Sequence, residues 1–128
     1  MRAVQREAVA RAHLTLMNEE EYRLLYPPGE ILEAREDQVF VVTAGEKGGW
    51  VAAKGRRESF QAFPVRVQYD VGAGDSFHAG FVAAYLAGQS PLEAARFGAA
   101  CAALKISRPA SSPPPTRAEI ETFMKEHA

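Results

Sequence analysis

An α/β fold is the class this sequence predicts, on three observations. Two short apolar runs read as strands, LTLM at 14–17 and VFVV at 39–42, the second β-branched and aromatic without polar alternation, as expected of a strand covered on both faces. Segments with helical spacing lie between and around them. The second half then turns into two long alanine-rich helices. With 128 residues, 47% of them apolar, the chain has material for one hydrophobic core.

The elements follow in order. Val4, Ala8 and Ala12 recur at spacings of four, a helical face with Arg and Glu opposite. LTLM ends at Asn18, and NEEEYRLLY continues as a helix with acids in its first turn, where the macrodipole favours them. Pro27-Pro28-Gly29 stops it, and a weakly periodic stretch from Ile31 to Arg35 reads as a further short helix. After VFVV, Gly45, Gly48 and Gly49 break the chain. WVAAK and RESFQAF, divided at Gly55, read as an antiparallel hairpin, and VRVQY after Pro64 as one more strand. A helix beginning near Asp75 puts Phe77, Phe81, Ala84, Tyr85 and Gly88 on one face. Ser90-Pro91-Leu92-Glu93 is a capping box with proline at the first helical position, opening a helix whose buried stripe is Leu92, Ala95, Ala99, Ala102 and Ile106. SRPASSPPP cannot be helical, and Thr116 to Glu119 caps a final helix through Met124. The chain thus opens on a helix with no strand before it, as though a βαβ series were entered in its middle.

Composition excludes several functions. Fifteen Lys and Arg against sixteen Asp and Glu give a net charge of −1, which offers no electrostatic footprint for nucleic acid. The longest small-and-apolar run, Ala79 to Gly88, is too short to span a bilayer, and the first dozen residues lack a signal peptide's apolar core. A cytoplasmic chain is expected. One cysteine, Cys101, rules out an internal disulfide and a cysteine-built zinc site, and His13, His78 and His127 lack metal-ligand spacing.

The strongest chemical signal is Val71-Gly72-Ala73-Gly74-Asp75-Ser76-Phe77, placed after an expected strand and before an amphipathic helix. Glycines let several backbone N–H groups point at one spot, and the helix N-terminus adds its positive end, which suits a phosphate. Asp75 in the first turn could take a proton from a nearby hydroxyl. The competing reading is a tight strand-to-helix turn with Asp75 as a capping residue, and spacing alone leaves the two about even. The Gly-Lys-Ser/Thr ending of a P-loop is absent.

Gly72-Ala73-Gly74-Asp75, continuing as SFHAGFVAAYLAG, resembles the second signature of the ribokinase/PfkB carbohydrate kinases. Three more motifs resemble that family in the same order. They are Asn18-Glu19-Glu20-Glu21, Thr43-Ala44-Gly45-Glu46-Lys47-Gly48, and the alanine-rich stretch Ala94 to Leu104 followed by KISRPA.

The resemblance implies a ribokinase-like three-layer α/β/α architecture with a largely parallel sheet and a β-hairpin. Residues 1–128 would be the C-terminal nucleotide-binding and catalytic portion. It implies ATP-dependent phosphoryl transfer to a sugar hydroxyl. Asp75 would be the general base, and Gly72, Ala73, Gly74 and Asp75 the anion hole. Asn18 and Glu21 would organise Mg²⁺, Thr43, Gly45 and Gly48 would follow the nucleotide, and Ala99 and Ala102 would border the adenine. The partners implied are a sugar and either a second copy or an N-terminal half carrying the sugar-binding residues.

Each motif has a plainer alternative. Asn18-x-x-Glu21 is a serviceable helix cap, the Thr43 to Gly48 stretch a turn between strands, and Cys101 a small core residue. Three departures from the family pattern also count. Tyr69-Asp70-Val71 stands where Asp-Thr-x is usual, and Ala110 where glycine is common, which weakens the expectation of a monovalent-cation site. Ala99 stands where Asn is frequent, which removes a side-chain contact to the base. The alternative function is a truncated, non-catalytic nucleotide- or anion-binding module, or a structural remnant that needs a partner chain.

Overall fold

The computed structural model describes residues 2–30, 32 and 34–127. Its elements run α1 (Arg2–Arg11), β1 (Leu14–Asn18), α2 (Glu19–Leu25), β2 (Val39–Thr43), a 3₁₀ turn (Gly45–Lys47), β3 (Gly49–Ala53), β4 (Arg56–Phe60), α3 (Ala73–Leu86), α4 (Pro91–Ile106) and α5 (Arg117–Glu126).

The four strands form one sheet in the order β1-β2-β3-β4. β1 and β2 are parallel, with Asn18 opposite Thr43, while β2–β3 and β3–β4 are antiparallel. The sheet is therefore mixed rather than largely parallel. Only the β1–β2 connection carries a crossover helix, and the later strands are joined by short turns that can only reverse the chain.

β2 is the strand that organises the layers, because four of its five residues are buried. Period-two alternation sends Val39 and Val41 to one face, where they pack with Val51, Phe60, Phe77, Phe81 and the alanines of α4. Phe40 and Val42 point to the other face, against Val9 of α1, Met17, Leu32 and, at the margin, Tyr22 and Trp50. Helices thus cover both faces in three α/β/α layers. A third cluster joins Ala100, Ala103 and Leu104 of α4 to Ile120 and Phe123 of α5. α4 is consequently buried on more than one side. Of its expected stripe Ala95 and Ala99 are buried and Leu92, Ala102 and Ile106 half-buried, with Ala94, Gly98, Ala100, Cys101, Ala103 and Leu104 buried beyond it. Burial pushes the Cys101 thiol up to about 11, as befits a core residue.

Where the structure departs from sequence expectation, a local cause can be named. In α1 the buried residue is Val9, with Ala8 exposed and the Val4 side chain outside the described residues. Ile31 and Glu33 of the expected short helix also lie outside them, and Leu32, Ala34 and Arg35 are not helical. VRVQY is not a strand: the Gln68 and Tyr69 N–H groups both donate to the Ile106 carbonyl at the end of α4, at 2.7 and 3.1 Å. Those donors are spent on a helix terminus, so no sheet ladder forms. The Ser90 cap is half a capping box. Its hydroxyl accepts from the Glu93 N–H, while the Glu93 carboxylate pairs with Arg96 at 2.9 Å.

α3 and α4 lie close together because Gly80 and Gly98 face one another. A Cβ on Gly80 would fall 2.5 Å from the Cys101 Sγ and 3.1 Å from the Gly98 Cα. One on Gly98 would fall 2.7 Å from the Phe77 carbonyl oxygen. At the other end of the chain, Glu119 closes a full capping box with Thr116 and pairs with Arg108 of the proline-rich connector. The Thr116 backbone N–H first, and the Arg108 guanidinium second, hold the Glu119 carboxyl below its ordinary 4.5.

Gly98→Ala should destabilise the protein by about 1–3 kcal/mol in urea unfolding, although alanine is the better helix former by about 1 kcal/mol. Because the folded-state pKa of Glu119 is depressed, its stabilisation is complete above 4.5 and disappears as pH falls through the folded-state value. Glu119→Gln should therefore flatten the acid limb of stability against pH and leave the neutral region's slope unchanged.

Candidate functional site

The parallel pair β1–β2 ends at Asn18 and Thr43, which sit side by side. In open α/β sheets the crevice beyond the carboxyl ends of parallel strands is where ligands bind. The 3₁₀ turn after β2 opens on that side. Gly48 closes it with φ +86°, where a Cβ would fall 2.1 Å from the Phe60 carbonyl, so no other residue fits. The Ala44 N–H donates to the Gly48 carbonyl at 2.7 Å, and the Gly48 N–H to that of Gly45 at 3.0 Å.

α3 starts differently from its neighbours. α2, α4 and α5 each have a side-chain cap, from Asn18, Ser90 and Thr116. The N-cap of α3 is Gly72, left-handed at φ +92°, with no side-chain cap. Helix geometry leaves the first N–H groups, those of Ala73, Gly74 and Asp75, without an intrahelical acceptor. Together with the dipole they leave an open, electropositive helix end, the kind of place where anions bind.

A cavity of about 740 Å³ connects the two features, a size typical of small-molecule sites. Thr43, Gly45, Glu46 and Gly48 supply one wall, Ala73, Gly74 and Phe77 a second, and Ala99, Ala102, Ala103 and Ile106 a third. All five nucleotide candidates from the sequence line it, as do Ala73 and Gly74. Gly72 and Asp75 stand beside it. Asp75 is exposed, and its side chain makes no ion pair or hydrogen bond among the described residues.

Asn18 and Glu21 do not line the cavity. The Asn18 Oδ1 accepts from the Glu21 N–H at 2.8 Å, and the Glu21 Oε1 from the Asn18 N–H at 2.9 Å. The plainer reading, a helix cap, is thus realised in full. No cluster of three or more His, Cys, Asp or Glu residues could hold a metal among the described residues. A single carboxylate beside an amide oxygen suits Mg²⁺ held mostly by phosphate and water, and does not suit an all-protein cage.

Sequence reasoning missed the irregular 61–71 segment as part of the site. Ala62, Phe63, Pro64, Val65, Val67 and Asp70 all line the cavity. The proline and the alternating valines were visible, but they read as a strand. His78 is exposed, and among the described residues no helix is long and apolar enough to cross a membrane.

Comparison with known proteins places this geometry. The pattern of the pfkB family carbohydrate kinases matches residues 1–117. Ribokinase of Haemophilus influenzae is 40% identical over 92 residues, covering 71% of this chain and 30% of its own length. The crystal structure of ribokinase from Thermotoga maritima is 31% identical with a TM-score of 0.72, over 88% of this chain and 42% of that one. A ribokinase II candidate from E. coli, solved with ATP and Mg²⁺, shares the fold at 22% identity and a TM-score of 0.80, over 98% of this chain and 43% of that one. The chain thus spans less than half the length of these relatives. Its mixed sheet, its layers and the match over nearly its whole length agree: this chain belongs to the pfkB family of carbohydrate kinases.

Proposed function

We propose that residues 1–128 form the nucleotide-binding and phosphoryl-transfer portion of an ATP-dependent sugar kinase. The observation that carries this reading is the uncapped α3 N-terminus, turned toward a cavity that it shares with the Thr43–Gly48 turn. Family membership supplies the reaction class.

In this reading the triphosphate runs from the Thr43, Gly45 and Gly48 turn toward the α3 N-terminus. The base lies on the apolar surface of Ala99 and Ala102. The cavity fits this use, because its wall is mainly apolar around the α4 alanines and meets the uncapped end of α3 at Ala73 and Gly74. Asp75 takes the proton of the attacking sugar hydroxyl. The hydroxyl oxygen bonds to the γ-phosphorus as the bond to the ADP oxygen breaks. The N–H groups of Ala73, Gly74 and Asp75 stabilise the charge on the transferring group, an effect that grows as water is excluded. Mg²⁺, held through Glu21 and Asn18 by way of water, supplies neutralisation of the phosphate oxygens when bound. The sugar is held by residues outside this chain, which spans 30–43% of the relatives described above.

That share of length also favours a second reading, in which this chain alone binds nucleotide without turnover. An ADP-release assay over a sugar panel, with and without the N-terminal half of a relative, separates the two. Asp75→Asn should lower phosphoryl transfer by about 10²–10⁴-fold and leave ATP affinity within a few-fold. Equal ADP release by wild type and Asp75→Asn in every condition would sink the catalytic reading.

Asn18→Ala should cost about 1 kcal/mol of stability through the lost cap. It should also reduce the gain in ATP affinity on adding Mg²⁺. Asn18→Asp keeps the cap and so isolates the metal effect, read by calorimetry with and without Mg²⁺.

A further inference from the structure

We infer that Lys105 is a phosphate-binding residue of this site, an inference that rests on the nucleotide reading above. Lys105 lies in the last turn of α4, and its methylene chain runs over the N-cap of α3. Its Cε is 3.5 Å from the point where a Gly72 Cβ would stand. Gly72 has no side chain to hold the lysine away, so the end of the Lys105 methylene chain reaches the glycine turn beside the cavity.

Three further observations give the position a chemical meaning. The Lys105 side chain makes no ion pair or hydrogen bond among the described residues, although Asp70 and Asp75 flank the same turn. It is half-buried, so its charge is less screened than that of a free surface lysine. Its neighbours Ala102, Ala103 and Ile106 line the cavity, as do Ala73 and Gly74. A lysine near a helix C-terminus ordinarily serves the dipole of its own helix. Here the same side chain lies against the N-terminus of another helix, where the local field is already positive. A phosphate dianion held between these two positive groups would pair with both at once. The ligand class is therefore a polyphosphate, and the nucleoside part is indifferent to this lysine.

The test uses the whole chain, ATP and adenosine as probes, calorimetry without added divalent cation, and thermal melts to confirm folding. Lys105→Met should weaken ATP binding by about tenfold and leave adenosine unchanged. Lys105→Arg should recover most of the loss, and the ATP affinity of Lys105→Met should depend less on salt than that of wild type. Unchanged ATP affinity in Lys105→Met overturns the inference and leaves the nucleotide reading intact, and so does an equal loss for ATP and adenosine. A wild-type chain that binds neither probe overturns both.

Discussion

The close approach of α3 and α4 is the contact on which the site depends. α3 carries the uncapped N-terminus, and α4 carries the apolar wall. Their separation is set where Gly80 and Gly98 meet, because neither position has room for a Cβ. Interiors packed at crystal density do not absorb an extra methyl group at a backbone contact by small shifts. Any widening there would move Ala73 and Gly74 away from Ala99 and Ala102, and the cavity would lose its shape before the fold lost its topology. The stacked rings of Phe77, Phe81 and Tyr85 run along the same helix and hold it against the sheet.

Chemistry and architecture divide the chain unequally. In the proposed reading the backbone does much of the recognition work, through the three N–H groups at the uncapped start of α3. Side chains with functional groups are few, chiefly Asp75, Lys105 and the Asn18–Glu21 pair. Backbone recognition has a definite advantage, since its groups are positioned by the fold and lose no rotamer freedom when a ligand arrives. It also explains why the cavity wall can be made of alanines.

Much of this was legible in the residues themselves. Every strand that is hydrogen-bonded into the sheet announced itself by a short apolar or β-branched run or a glycine-divided hairpin, and the α2, α4 and α5 starts by their capping residues. The glycine turn was legible because only one residue type tolerates its geometry. What was not legible depended on distant partners. VRVQY has the local preference of a strand, yet its N–H groups are taken by the Ile106 carbonyl, nearly forty positions further along. The face of α1 was misjudged by one position, because Val9 and Ala8 are both apolar and only the sheet decides between them. Lys105 carried no signal at all. Its meaning arises from a glycine thirty-odd residues earlier, and no local pattern connects the two.

The order β1-β2-β3-β4 leaves two rims of the sheet, and they meet water on different terms. β4 begins Arg56-Arg57-Glu58, and the Arg57 guanidinium lies over the Trp50 ring at 3.8 Å, so that rim is guarded by charge. β1 reads Leu-Thr-Leu-Met-Asn, with no charge among its five residues and a buried Thr15 hydroxyl that has no partner among the described residues. Backbone groups on its outer side are free to pair. β1 therefore lacks the charged guard that β4 carries, and a strand added to this sheet meets less electrostatic resistance at β1 than at β4.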